Sequence, residues 1–198
     1  MNHTDKTELT RLQERLARIR LLAMDVDGVL TDGTFAYDSE GGEHKSFHVA
    51  DGLGIVLLRL TGIEVAWISG RASAIVERRG QELGIRHIVQ GVRDKNRALR
   101  ALCDSLAMPL EEVAYIGDDW NDLPALQIVG VAIATANAAE EVKRAADFVT
   151  YHAGGQGAVR EVCMQLIDAC GSRETCLKRY IVSLSEAEEK ESEGRAGQ

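Results

Sequence analysis

The chain has 198 residues, of which 45% are apolar, 27% charged and 5% aromatic, with a formal net charge of −8. That is enough chain for one domain with a buried core, and too apolar a chain to be largely disordered. The acidic balance argues against a general nucleic-acid surface, which needs clustered Lys and Arg.

Leu9, Leu12, Leu16 and Ile19 recur at spacings of three and four, which predicts an amphipathic helix within residues 1–20 packed on the domain edge. Asp5, Glu8 and Glu14 in that stretch make it neither a secretory leader nor an acid-poor transit peptide. One domain would then fill residues 21–183. Leu21–Val26 reads as a strand. Thr34–Tyr37 and Lys45–Val49 read as two short strands around the turn-rich segment 38–43. Strands follow at Glu64–Ser69, His87–Gln90, Glu112–Ile116, Val131–Ala134 and Asp147–Thr150. Helices alternate with them at Leu53–Leu60, Ala72–Leu83, Lys95–Leu106, Leu123–Ile128, Ala138–Ala145 and Ala158–Cys170. Residues 184–198 hold five Glu against Lys190 and Arg195, which predicts a mobile charged tail. The longest apolar runs, such as Leu21–Met24 and Ile55–Leu58, are too short to span a bilayer, so no membrane partner is expected. Cys103, Cys163, Cys170 and Cys176 form no close zinc-type pair and read as reduced thiols of a cytoplasmic protein.

Strands alternating with helices imply an α/β fold, a Rossmann-like parallel sheet with helices on both faces and a hairpin flap after the first strand. In such folds ligands bind outside the carboxyl ends of the strands. The first strand runs into Asp25-Val26-Asp27-Gly28, the second into Ser69-Gly70-Arg71, and the fourth into Gly117-Asp118-Asp119-Trp120-Asn121-Asp122. The loop after the third leads to Lys95. Carboxylates converging on one point repel one another unless a cation sits among them, and hard oxygen ligands select Mg²⁺. Ser69 can donate to a phosphate oxygen, Gly28 and Gly70 let backbone amides approach it, and Lys95 supplies positive charge. A phosphate monoester is the ligand that uses every one of these groups.

These four segments resemble, in order, the signature motifs of haloacid-dehalogenase-type phosphohydrolases, over roughly residues 20–170. With His48-Val49-Ala50-Asp51-Gly52 and Gly154-Gly155-Gln156-Gly157-Ala158-Val159-Arg160-Glu161, the chain is similar to the group that hydrolyses 3-deoxy-D-manno-octulosonate 8-phosphate for bacterial lipopolysaccharide. The resemblance implies Asp25 as nucleophile and Asp27 as general acid and base. It implies Mg²⁺ on the carboxylates of Asp25 and Asp118 and the backbone carbonyl of Asp27, with Ser69 and Lys95 on the phosphoryl oxygens. Asp119 and Asp122 would orient Lys95 and metal-bound waters, though either could simply cap the next helix. Arg71 and Arg79 suit a substrate carboxylate, and the resemblance assigns both to it. A helix-face arginine can equally be merely solvated. His48, Asp51 and Gly52 would line the mouth, although relatives often carry a basic residue where Ala50 stands. Gly70 and Asn121 would also reach the substrate. Asp32 reads as a turn residue, and Trp120 either shields the loop or packs on it.

Spacing leaves room for no cap domain, either between Thr31 and Glu64 or between Lys95 and Glu112. A site so open to water needs cover, and a neighbouring subunit is the economical source. The hairpin Thr34–Val49 is the candidate for that contact, and the resemblance implies a homotetramer. The segment 154–161, with Arg160, either lies near a neighbouring mouth or forms a loop that caps a helix. Three alternatives compete with the octulosonate reading. A nonulosonate 9-phosphate is disfavoured by Arg71, where that branch tends to have Glu. A non-catalytic oligomerisation module is disfavoured by intact Asp25, Asp27, Lys95 and Asp118. A signalling receiver domain would need an acid after the third strand, where Val89-Gln90-Gly91 stands.

Overall fold

The computed structural model describes residues 3–196. Helix α1 (His3–Leu16) leads into β1 (Leu21–Met24), followed by β2 (Ala36–Tyr37), β3 (Glu43–His44), α2 (Val49–Arg59), β4 (Glu64–Ile68), α3 (Ala74–Glu82), β5 (His87–Val89) and α4 (Lys95–Ser105). After these come β6 (Val113–Gly117), α5 (Leu123–Leu126), β7 (Val131–Ala134), α6 (Glu140–Ala145), β8 (Phe148–Val149), α7 (Ala158–Ala169) and α8 (Arg173–Ala196). Six strands form one sheet in the order β5-β4-β1-β6-β7-β8, every pair parallel. The central strand Leu21-Leu22-Ala23-Met24 is buried at every position, as a strand covered on both faces must be. Its alternate residues divide the core. Leu22 and Met24 pack with Leu16, Ile55, Leu58, Val162 and Leu166, under α1, α2 and α7. Leu21 and Ala23 pack with Leu99, Ala125, Leu126 and Val142, under α4, α5 and α6. The expected three-layer α/β architecture is therefore observed, and among the described residues nothing beyond the hairpin and single helices intervenes where a cap domain would sit.

Three segments differ from the sequence expectation. The hairpin strands are only two residues each, because no second layer covers them and their residues stay largely exposed. Helix α2 begins at Val49 rather than Leu53, with Asp51 in its first turn, where a carboxylate is favoured. The segment expected to be a mobile tail continues α8 as far as Ala196, since its Glu-rich sequence favours helix. Residues 197–198, and the first two residues of the expected N-terminal helix, lie outside the described residues.

The glycine-rich segment before α7 packs on the loop that follows β1. A Cβ on Gly154 would lie 1.7 Å from the Gly28 carbonyl oxygen, and one on Gly155 would lie 2.5 Å from the Asp32 nitrogen. The Gly155 amide donates to the Val29 carbonyl at 3.0 Å, and the Gly154 amide to Asn137 Oδ1 at 2.8 Å. Gly154→Ala must therefore push two backbones apart. It is expected to cost about 1–3 kcal/mol in urea denaturation; an unchanged midpoint would show that the loop yields freely.

Candidate active site

The strand order reverses beside β1, whose neighbours β4 and β6 are reached in opposite directions, and a crevice opens at the carboxyl ends there. Met24 pairs with Ile116, so Asp25 and Asp118 leave adjacent strands at nearly the same level. The Asp25 amide still donates to the Ile116 carbonyl at 3.0 Å, which holds the backbone in register one residue beyond the strand. Asp94 caps α4 by accepting from the Arg97 amide at 3.0 Å, and Lys95 follows as the first helical residue. The Lys95 side chain is almost fully buried, with Nζ 2.7 Å from Asp25 Oδ2 and 2.7 Å from Asp122 Oδ1. Asp122 accepts further hydrogen bonds from Tyr115 Oη at 2.8 Å and from the amides of Asp118 and Asp119 at 3.0 and 3.3 Å. With that many donors, Asp122 is a fixed counter-charge for Lys95.

Carboxylate oxygens of Asp25, Asp118 and Asp122 lie within 4.8 Å of one another. Burial raises the Asp25 carboxyl to about 6, with the Asp122 charge adding to it and Lys95 opposing. Burial raises Asp118 to about 8, reinforced by Asp122 and Asp25. For Lys95, burial favours the neutral amine, but the charges of Asp122 and Asp25 outweigh it and the net shift is upward. Asp118 Oδ1 is buried and accepts no hydrogen bond. Gly28, at φ +97°, leaves space for this carboxylate, since a Cβ there would sit 2.0 Å from Asp118 Oδ2. Two oxygen donors with surplus negative charge and an orphaned oxygen fit Mg²⁺, a hard cation. Asp122 is already saturated, so Asp25 and Asp118 are the carboxylates available to it.

A cavity of about 250 Å³ opens above this cluster, lined by Asp25, Asp27, Gly33, Phe35, Ser69, Gly70, Arg71, Asp118, Asp119 and Asn121. Ser69 Oγ accepts from the Arg71 amide at 3.2 Å, which leaves its hydroxyl proton free for a ligand oxygen. Asp27 Oδ1 is paired with Lys45 Nζ, and Asp27 Oδ2 lies 4.0 Å from Arg71 Nε. The hairpin thus closes over the site of its own chain. Arg71 Nη2 donates to Tyr37 Oη at 2.9 Å and lies 3.4 Å from Glu43 Oε1, while Ser73 Oγ donates to Glu43 Oε2 at 2.6 Å. Lys45 Nζ and the Arg71 guanidinium sit 4.8 and 4.3 Å from the Phe35 ring centroid.

Five residues expected to contact substrate do not line this cavity: Lys95 lies buried beneath it, and Asp51, Gly52, Arg79 and His48 lie elsewhere. Asp51 lies inside α2 and is buried, and its Oδ1 accepts from the Arg160 amide at 2.7 Å at the start of α7. The unpaired amides of a helix N-terminus draw it inward. Gly52 is buried beside Arg79, whose Nη2 would be 2.6 Å from a Cβ there. Arg79 pairs with Glu82 at 3.1 Å and sits 6.0 Å from the Phe47 ring centroid. His48 is exposed at the start of α2. Asp119 caps the turn Trp120–Asp122 and also lines the cavity. Trp120 donates its indole N–H to Glu141 at 3.0 Å. Asp32 accepts from the Thr34 amide and hydroxyl at 2.9 and 2.7 Å, closing a turn. Lys45, Glu43 and Tyr115 escaped the sequence reading. Glu43, Lys45 and Phe47 alternate with period two, the one signal that could have turned their side chains to the same face.

The family of haloacid dehalogenase-like hydrolases matches residues 59–162, and the chain belongs to that family. Among curated relatives, the 3-deoxy-D-manno-octulosonate 8-phosphate phosphatase KdsC of Salmonella typhi is 46% identical over 162 residues, covering 82% of this chain and 86% of the relative. Among solved structures, the 3-deoxy-D-manno-octulosonate 8-phosphate phosphatase of Moraxella catarrhalis, in complex with magnesium, phosphate and KDO, superposes with a TM-score of 0.84 at 44% identity, covering 87% of this chain and 99% of that one. The cobalt-bound phosphatase of Haemophilus influenzae gives a TM-score of 0.77 at 44% identity, over 79% of this chain and 92% of the other. Within the hydrolases, the chain is thus a member of the 3-deoxy-D-manno-octulosonate 8-phosphate phosphatase family, and an enzyme of the phosphoric monoester hydrolase class.

Because the raised carboxyls must lose protons to take a cation, Mg²⁺ affinity by calorimetry is expected to rise up to about tenfold per pH unit between about 6 and about 8. The metal-free fold binds more protons than the unfolded chain, so its stability falls over the range from ordinary carboxylate values up to about 8. Stabilisation by Mg²⁺ should grow over that same range. An affinity independent of pH would contradict the assignment.

Proposed function

We propose that the protein hydrolyses 3-deoxy-D-manno-octulosonate 8-phosphate to the free sugar acid and phosphate, in lipopolysaccharide biosynthesis. The observation that carries this is the convergence of Asp25, Asp27, Ser69, Arg71 and Asp118 on one cavity, with Lys95 and Asp122 beneath it. The relatives named for that reaction supply the substrate.

In the first step an Asp25 carboxylate oxygen attacks phosphorus in line. The Asp25 O–P bond forms as the ester P–O bond breaks, and Asp27 gives its proton to the departing alkoxide. In the second, Asp27 takes a proton from water, which attacks phosphorus and breaks the Asp25 O–P bond, releasing phosphate. Ser69 donates to a phosphoryl oxygen, and the adjacent Gly70 has no side chain to block its approach. Lys95 is held by Asp122 at the distance needed to keep Asp25 oriented and to neutralise phosphoryl charge. The carboxylates of Asp25 and Asp118 and the Asp27 carbonyl would hold Mg²⁺, which would offset the charge shared by nucleophile and phosphate. Arg71, on the rim, is the group suited to the sugar-acid carboxylate, and Asn121 to a substrate hydroxyl.

We also propose a homotetramer. Tyr37, Val49 and Leu53 are large apolar side chains left exposed on and beside the hairpin, Val49 at 81%. A neighbour covering them would bring a second rim to the site, and His48 and Arg79 would then serve the interface or the adjoining mouth, with the buried Asp51 and Gly52 supporting them from behind. The four free thiols, three of them buried, suit a reducing compartment, and we assign the reaction to the cytoplasm.

The test is turnover with Mg²⁺. Wild type should release phosphate from the octulosonate 8-phosphate with a higher kcat/KM than from a nonulosonate 9-phosphate. Asp25→Asn should lose at least about a thousandfold in kcat. An active Asn variant would remove Asp25 as nucleophile, and a preference for the 9-phosphate would reassign the substrate.

A further inference from the structure

We infer that Lys45 is a positioning residue for the acid–base step, coupling the hairpin to Asp27. This rests on the role proposed above for Asp27 and deepens it. The Lys45 side chain is wholly buried although it projects from a segment that is otherwise half open to solvent. Its ammonium is spent on a small set of partners: Asp27 Oδ1, Glu43 Oε1 at 3.8 Å, and the face of Phe35. A buried ammonium is costly unless paired, and the hairpin supplies that pairing at one place, against the second aspartate of the loop after β1.

The chemical consequence follows from which oxygen is occupied. A carboxyl that must hand a proton to a leaving alkoxide and then recover one from water needs one oxygen anchored and the other presented. Lys45 anchors Oδ1, and Oδ2 is left for the proton. Without the ammonium, Asp27 can rotate about its side-chain bonds toward Arg71, whose Nε is 4.0 Å from Oδ2, and the donor leaves the line of the ester oxygen. Glu43 keeps the ammonium in place. Its other oxygen is tied to Ser73 at 2.6 Å, so the hairpin, the loop after β4 and Asp27 form one hydrogen-bonded unit. The same unit holds Arg71 through Tyr37 and Glu43. A closed hairpin is thus the state in which both Asp27 and Arg71 are aligned.

The test exploits the leaving group. A sugar alkoxide departs poorly without a proton, whereas p-nitrophenolate departs without help. In Lys45→Met, which keeps the stem against Phe35, single-turnover release of the sugar acid from the 8-phosphate should slow about 10- to 100-fold, while single-turnover release of p-nitrophenolate from its phosphate, the same first step without need of a proton, stays within about threefold. Lys45→Arg, which restores a cation, should recover part of the loss. Equal losses on both esters, or no loss on the sugar ester, would overturn the proposal; a matched melting temperature separates either result from misfolding. If wild type ignores the 8-phosphate, the substrate reading fails on its own. The same Lys45→Met comparison then runs between an alkyl ester the enzyme does accept and the aryl ester, and equal losses there would still sink the inference.

Discussion

Two carboxylates that leave neighbouring parallel strands at the same level cannot both be ionised without a cation between them, and this constraint organises the molecule. Asp25 and Asp118 are placed by the β1–β6 register, which the core on both sides of the sheet enforces. Their mutual repulsion is offset on the buried side by Lys95, itself held by Asp122, and on the open side by Mg²⁺. Lys95 cannot serve alone. One ammonium faces three carboxylates, and burial, reinforced by their mutual charge, raises Asp25 and Asp118. The fold therefore carries an electrostatic cost that a divalent cation would relieve.

Glycine does a second job at the same place. Gly28 yields its side-chain volume to Asp118, and Gly154 and Gly155 yield theirs to the backbone of residues 28–32. The loop that carries Asp25 and Asp27 is thus clamped from the sheet side by a carboxylate and from the far side by another loop. A nucleophile that must attack in line gains from such a clamp, because a displacement of about 1 Å can cost a hundredfold in rate. The glycine-rich segment before α7, which the sequence left open between a neighbouring mouth and a helix-capping loop, lies against the catalytic loop of its own chain.

The strand-end groups were legible in the sequence because each follows a short apolar run directly, and a parallel sheet leaves strand ends nowhere else to point. The apolar run Leu21–Met24 was enough to predict a strand, and it is its unbroken character that fits burial on both faces. The hairpin was not legible in the same way. Its strands are too short for a burial pattern, and Lys45 reads as one more exposed lysine until Asp27 is brought under it by a separate part of the chain. The surroundings of Asp51 were hidden for the opposite reason. Its position after His48 suggested a rim, but a helix begins at Val49 and turns the carboxylate inward to the Arg160 amide. The helical course of 184–196 was missed because its sequence has no apolar stripe to read, only helix propensity.

The hairpin bears on specificity as well as cover. Without a cap domain, the rim of the cavity must discriminate, and it does so with groups supplied from two separate parts of the chain. Arg71 comes from the loop after β4, but Tyr37 and Glu43, which hold its guanidinium, come from the hairpin. A substrate carboxylate meeting Arg71 would compete with Glu43 for it, so binding and hairpin position are linked through one guanidinium. Lys45 lies on the same strand segment as Glu43 and reaches the proton-transfer group. On the roles proposed for Arg71 and Asp27, recognition of the acid end of a sugar-acid phosphate and protonation at its ester end would be tied to a single short ribbon, coupling selectivity to catalysis without a closing lid.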